Sequence, residues 1–191
     1  MSYSSLSRMG LNITVLISGS GSNLQALIDA QAANELKGTI TQVISSSDQA
    51  YGLTRAQNAS IPTKSHMLKE YYKGIPKEDI EKRKEKREEF NKHLANLLIY
   101  GNKEGSIDSN YVKPDLIVCA GWMLILSSSV LKPLEDDGIP IINLHPALPG
   151  AFDGTHAIER AWKEGQEGKI QIAGVMIHKV ITQVDRGTPI L

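Results

Sequence analysis

Cysteine is nearly missing from this chain. Cys119 is the only one among 191 residues, so no internal disulfide can form, and its place inside the apolar run LIVCA (116–120) predicts a buried, reduced thiol. That fits a cytoplasmic setting. Long apolar runs are also missing: none approaches the ~18 residues needed to span a bilayer, so no membrane partner is expected. Residues 1–10 are serine-rich and have no continuous apolar centre, which reads as a disordered leader and not a secretion signal. Nor is there a surplus of charge. Lys+Arg and Asp+Glu both number 21, which argues against the broad basic surface that nucleic acid requires while leaving a local anion site open. What is present is an ordinary globular balance, 41% hydrophobic and 22% charged, in a length suited to one domain with a full core.

Along the chain, apolar strand-like runs alternate with helical patterns. Residues 11–18 (LNITVLIS) read as a central strand covered on both faces. The glycine loop GSGSN (19–23) follows at once, and Leu24, Leu27, Ile28 and Ala32 then recur at helical spacing. Gly19 and Gly21 allow close backbone approach, Ser22 or Asn23 is placed to cap the helix, and the free amides at its start suit a phosphate. A purely structural βα turn is the alternative. Further strands are predicted over 40–46, 61–66, 116–120, 139–144 and 173–181. Helices are predicted over 51–59, 76–100, 127–134 and 155–163. In the long helix, Ile80, Phe90, Leu94, Leu97 and Leu98 form the expected buried stripe, with Glu78/Lys82 and Lys84/Glu88 pairing outside. The mixed run EKRKEKR (81–87) reads as a solvated helix face.

The stretch IINLHPALPG (141–150) carries the strongest chemical signal. Alternation puts Asn143 and His145 on one side of a strand, and Pro146 and Pro149 end that strand in a loop. Carboxyl ends of parallel strands border the ligand crevice. An amide and an imidazole there can donate to an oxyanion, such as the one formed when an uncharged amine attacks a formyl carbon. A carboxylate beside the imidazole, with Asp185 as the candidate, would favour its cationic form. The apolar segment GWMLIL (121–126) serves either as core or as the wall of a pocket for a flat aromatic ligand. Other chemistries fit less well. His145, His156, His178 and Asp185 are zinc-ligand types but contain no compact His-x-x-x-His pair. Ser18, Ser20 and Ser22 have no assigned base. A dinucleotide fingerprint would need a third glycine where Leu24 stands, and an acidic residue where the second strand ends in Ser45, Ser46 and Ser47, with Asp48 coming late.

Four segments taken in order, VLISGSGSNLQ (15–25), CAGWMLIL (119–126), INLHPALPG (142–150) and VDRG (184–187), resemble the phosphoribosylglycinamide formyltransferase family, especially its fungal single-domain forms. The resemblance implies an α/β fold, a Rossmann-like and mostly parallel sheet with helices on both faces. It implies formyl transfer from 10-formyltetrahydrofolate to glycinamide ribonucleotide without a metal. By the same resemblance Gly21, Ser22 and Asn23 hold the substrate phosphate. Met123, Leu124, Ile125 and Leu126, with Thr182, Gln183 and Val184, line the folate pocket. Asn143, His145 and Asp185 are the catalytic trio, with His178 behind them. The family usually continues past the position of Leu191 with a strand and a helix, so residues 11–191 are expected to form a single domain without that extension. Many relatives carry arginine where Leu124 stands. Formyltetrahydrofolate deformylase and methionyl-tRNA formyltransferase share the Asn-x-His and Asp elements, while the glycine loop favours a nucleotide acceptor. A non-catalytic nucleotide- or folate-binding protein, and a nicotinamide-dependent oxidoreductase, stand as alternatives.

Overall fold

Six strands form one sheet in the computed structural model, which describes residues 10–106 and 109–191. The expected leader, apart from Gly10, lies outside those residues. In chain order the strands are β1 (Leu11–Ile17), β2 (Gly38–Ser45), β3 (Thr63–Ser65), β4 (Leu116–Cys119), β5 (Ile141–His145) and β6 (Met176–Lys179). Across the sheet the order is β3-β2-β1-β4-β5-β6. All neighbours pair parallel except β5 and β6, which are antiparallel. The helices are α1 (Ser22–Ala32), α2 (Tyr51–Asn58), α3 (Leu68–Tyr71), α4 (Ile80–Tyr100), α5 (Ser128–Asp136) and α6 (Ala157–Gln166).

Period-two alternation, with both faces covered, explains the consecutive apolar residues Val15, Leu16 and Ile17 of β1. Leu16 packs on one face with Phe90, Leu94 and Leu98 of α4 and with Val130 and Leu134 of α5. Ile13, Val15 and Ile17 pack on the other with Leu24 and Ile28 of α1 and Ala56 of α2. The sheet is thus covered on both faces, as expected. In β2, Ile40 and Val43 share the second face although they are three apart. The register jumps there, from Ile13 opposite Ile40 to Thr14 opposite Gln42, so Thr41 is an extra bulged residue that resets the alternation.

The long helix differs from its sequence pattern at its start. It begins at Ile80, capped by the Asp79 side chain accepting from the Lys82 amide at 3.1 Å. Ile80 is 71% exposed and does not belong to the buried stripe. The first turns have no core partner, because burial on this helix is complete only from Phe90 onward. Glu78 precedes the helix. Glu88 turns inward, accepting from the Ser129 hydroxyl and the Asn91 amide, and so ties α4 to α5 instead of pairing with Lys84.

Residues 188–191 return along β6, with the Lys179 amide donating to Thr188 O at 3.0 Å and the Ile177 amide to Leu191 O at 2.8 Å. The turn between them presses so hard on β6 that a Cβ at Gly187 would sit 1.6 Å from Lys179 O. Only glycine fits there, and this contact seats the preceding Asp185 beside the strand.

Candidate active site

Strand order reverses between β1 and β4, and in an open α/β sheet the crevice past the carboxyl ends at such a point receives the ligand. The loop after β1 and the loop after β4 separate there. A cavity of about 870 Å³ opens between them and runs to the ends of β5 and β6, a size typical of small-molecule sites.

At one end of the cavity, Ser22 and Asn23 belong to the wall. Neither caps α1: the N-cap is Gly21, in the left-handed region at φ 71°, and no side chain caps the helix. This corrects the expectation that Ser22 or Asn23 would do so. The first-turn amides therefore face the crevice without a side-chain acceptor, leaving their partial positive charge available. Gly21 itself is buried behind this wall, and a Cβ there would meet Gly52 Cα of α2 at 2.6 Å. Its close approach to α2 shapes the loop.

The middle of the cavity is apolar. Met123, Leu124, Ile125 and Leu126 all line it, as do Thr182 and Val184. Gln183 does not: it is exposed outside the wall, its carbonyl accepting from the Arg186 amide at 3.3 Å. Leu126 belongs to the core as well. Met123, Ile125, Ile158, Val175, Ile181 and Val184 are exposed hydrophobic residues that share this one concave surface, which is how an apolar ligand site looks before it is filled. Trp122 is 9% exposed, and its Nε1 has no acceptor. Ser18 holds the segment in place, its hydroxyl oxygen accepting from the Met123 amide at 2.8 Å and from Ser46 Oγ at 2.6 Å. Arg87 of α4 donates to Ile125 O at 2.8 Å. Neither brace was evident in the sequence, because each joins segments distant along the chain. Cys119 lies at the cavity floor, and burial pushes its thiol up to about 12.

At the far end Asn143, His145 and Asp185 come together, as their expected grouping requires. Asp185 lies between two imidazoles, with Oδ2 at 3.4 Å from His145 Nδ1 and Oδ1 at 3.4 Å from His178 Nε2. The Gly154 amide donates to Asp185 Oδ2 at 2.8 Å, and Asn143 Nδ2 donates to Oδ1 at 3.4 Å. His145 is 3% exposed, and its other nitrogen lies 3.4 Å from Ala151 O. Both its ring nitrogens face oxygen acceptors. His178 is different. Its Nδ1 lies 2.8 Å from Lys179 O, which places the proton there, so Nε2 is free to accept from Asn143 Nδ2 at 3.2 Å.

His178 thus lies directly behind the trio, touching Asn143 and Asp185. Antiparallel pairing of β5 with β6 sets Asn143 opposite His178, a register with no local sequence signal. His156, another residue weighed as a metal ligand, stands apart from His145 and His178, exposed and 3.7 Å from Glu159. Among the described residues, no group of three or more His, Cys, Asp or Glu side chains is arranged to hold a metal ion. Asp48, the late acid after β2, is bound to Lys69 at 2.8 Å.

A formyl transferase family model matches residues 11–191. The chain belongs to the formyl transferase family. It is 53% identical to the phosphoribosylglycinamide formyltransferase of Saccharomyces cerevisiae, an alignment covering 94% of this chain and 79% of that protein. With the enzyme of the same name from Schizosaccharomyces pombe the identity is 49%, over 96% of this chain and 81% of the relative. Among solved structures, glycinamide ribonucleotide transformylase 1 from Symbiobacterium toebii superposes with a TM-score of 0.72 at 30% identity, covering 96% of this chain and 72% of that one. The likeness to this family therefore extends well beyond the four motifs, along nearly the whole chain. Among the described residues, no helix is long and apolar enough to cross a membrane.

Proposed function

We infer that this chain transfers a formyl group from 10-formyltetrahydrofolate to the amine of glycinamide ribonucleotide, the phosphoribosylglycinamide formyltransferase reaction of purine biosynthesis. Identities of 46–53% to relatives of that name carry the assignment, since they extend over 79–82% of each relative's length. The geometry supports it through one continuous cavity that joins an uncapped helix start, an apolar wall and a carboxylate between two imidazoles. A cytoplasmic location accords with the lone buried thiol.

In this reading the amides at Ser22 and Asn23 take the ribosyl phosphate, with Gly21 shaping their loop. The wall at Met123, Leu124, Ile125 and Leu126, together with Thr182 and Val184, receives the folate ring. Gln183 belongs to the turn behind this wall. No metal is needed. The substrate amine attacks the formyl carbon. The new C–N bond leaves negative charge on the formyl oxygen, and the amine later loses a proton as the folate N10 gains one and departs. His145 and Asn143 donate to the developing oxyanion, while the Asp185 carboxylate complements an imidazolium at His145 and directs proton movement through water. Asn143 exchanges one of its long internal hydrogen bonds for the oxyanion, so its donor is held more tightly as charge builds.

The test is formyl transfer by the purified chain with both substrates present. Tetrahydrofolate should form only when glycinamide ribonucleotide is added. Its release without acceptor would favour a deformylase, and binding of both ligands without turnover would favour a non-catalytic protein.

A further inference from the structure

Among the described residues, three of the five non-glycine residues with positive φ gather around the site: Phe152 at 52°, His156 at 58° and Asp185 at 55°. Left-handed backbone at such residues persists only where its surroundings hold it. Here two arginines do the holding. Arg160 of α6 donates through Nη2 to Phe152 O at 2.5 Å and to Asp153 O at 2.7 Å. Arg186, directly after Asp185, donates through Nε to Asp153 Oδ2 at 2.5 Å. The next residue along, Gly154, supplies the amide on Asp185 Oδ2 at 2.8 Å. Loop 150–156 and the Asp185 turn therefore grip each other twice, once through an ion pair and once through the amide on the carboxylate.

We propose that Asp153 and Arg186 are positioning residues, a latch that keeps the Gly154 amide on Asp185 and so holds that carboxylate between His145 and His178. The proposal rests on the catalytic role inferred for Asp185 and adds what fixes its geometry. Asp153 lines the cavity, but its Oδ2 is taken by Arg186. The latch's contribution is to keep Asp185 Oδ2 turned toward His145 Nδ1, because without the ion pair the strained loop relaxes and its amide leaves the carboxylate. Displacements of this kind near reacting groups reduce turnover more than binding.

The experiment compares Asp153→Ala, Arg186→Ala and the exchanged pair Asp153→Arg/Arg186→Asp with the parent chain, with Asp185→Asn measured alongside. Each single substitution is expected to lower kcat roughly tenfold and to leave KM for both substrates within about twofold. The exchanged pair should regain most of the loss, as a coupled pair does. A raised KM for either substrate at unchanged kcat would overturn the latch in favour of substrate contact. Loss of thermal stability in step with activity, without recovery in the exchanged pair, would overturn it in favour of a structural role. Unchanged kcat in the latch variants while Asp185→Asn is inactive refutes the latch alone, whereas full turnover by Asp185→Asn refutes it together with the catalytic reading.

Discussion

His66 and the pair His145 and His178 are all buried residues on the same sheet, yet they occupy opposite chemical environments. His66 follows β3 at the sheet edge, its ring stacked on Phe90 at 4.3 Å and edged by Tyr71 at 5.5 Å. Its Nε2 meets Phe90 O at 2.9 Å, its Nδ1 has no partner, and burial pushes its pKa down to about 4. His145 and His178 share Asp185. Burial without a counter-charge makes a neutral packing group, because a charged ring would lose hydration and gain nothing. At His145 and His178 a carboxylate instead stands within reach of a ring nitrogen. The difference lies in one neighbouring side chain, not in the degree of burial.

Removing that neighbour should have the largest effect. Asp185→Asn keeps the shape and deletes the charge, so steady-state formyl transfer should fall by about 10³-fold, and His145→Ala by a similar factor, within the range for losing an acid-base or oxyanion group. Retention of a tenth of the parent rate in either variant would contradict the assigned roles.

A smaller loss is expected at the second imidazole. His178→Gln keeps a polar group near Asn143 but not the ring geometry, and kcat should drop roughly 10- to 100-fold. If the drop matched that of His145→Ala, the two rings would have equal standing and the distinction drawn from their different partners would fail.

His66 should leave turnover untouched and act on stability alone. Its folded pKa of about 4 lies below the ordinary 6.5, so between those values the unfolded chain binds more protons and stability rises with pH. The contribution is complete above pH 6.5 and is lost on acidification toward pH 4, by up to about 3 kcal/mol. Denaturant melts across that window should show the slope in the parent chain and a flatter one in His66→Gln. Equal slopes would mean that the loss on acidification comes from other groups.

Much of this was legible residue by residue. The run at 11–18 announced a central strand, found at Leu11–Ile17, and Pro146 marked the end of β5 at His145. Asn143 and His145 share a face by simple alternation. The α4 stripe was legible from Phe90 to Leu98 but not at Ile80, since periodicity cannot tell where a helix outruns its core. The cap of α1 was misread because Gly21 reaches the left-handed region that the turn needs, a conformation that removes any role for Ser22 or Asn23 as cap. Gln183 was grouped with its neighbours, although in an irregular turn adjacent side chains need not face the same way.

By itself the sequence determined what depends on short spacing: the alternating α/β class, the glycine loop, the strand end bearing Asn143 and His145, and the family to which these motifs belong. Tertiary structure decided which groups meet. That Asp185 stands between two imidazoles follows from the antiparallel register of β6, the tight contact at Gly187 and a left-handed backbone at Asp185 itself. Each is a relation between segments far apart in the chain, and contact between them is set by packing and strand direction, which no local pattern encodes.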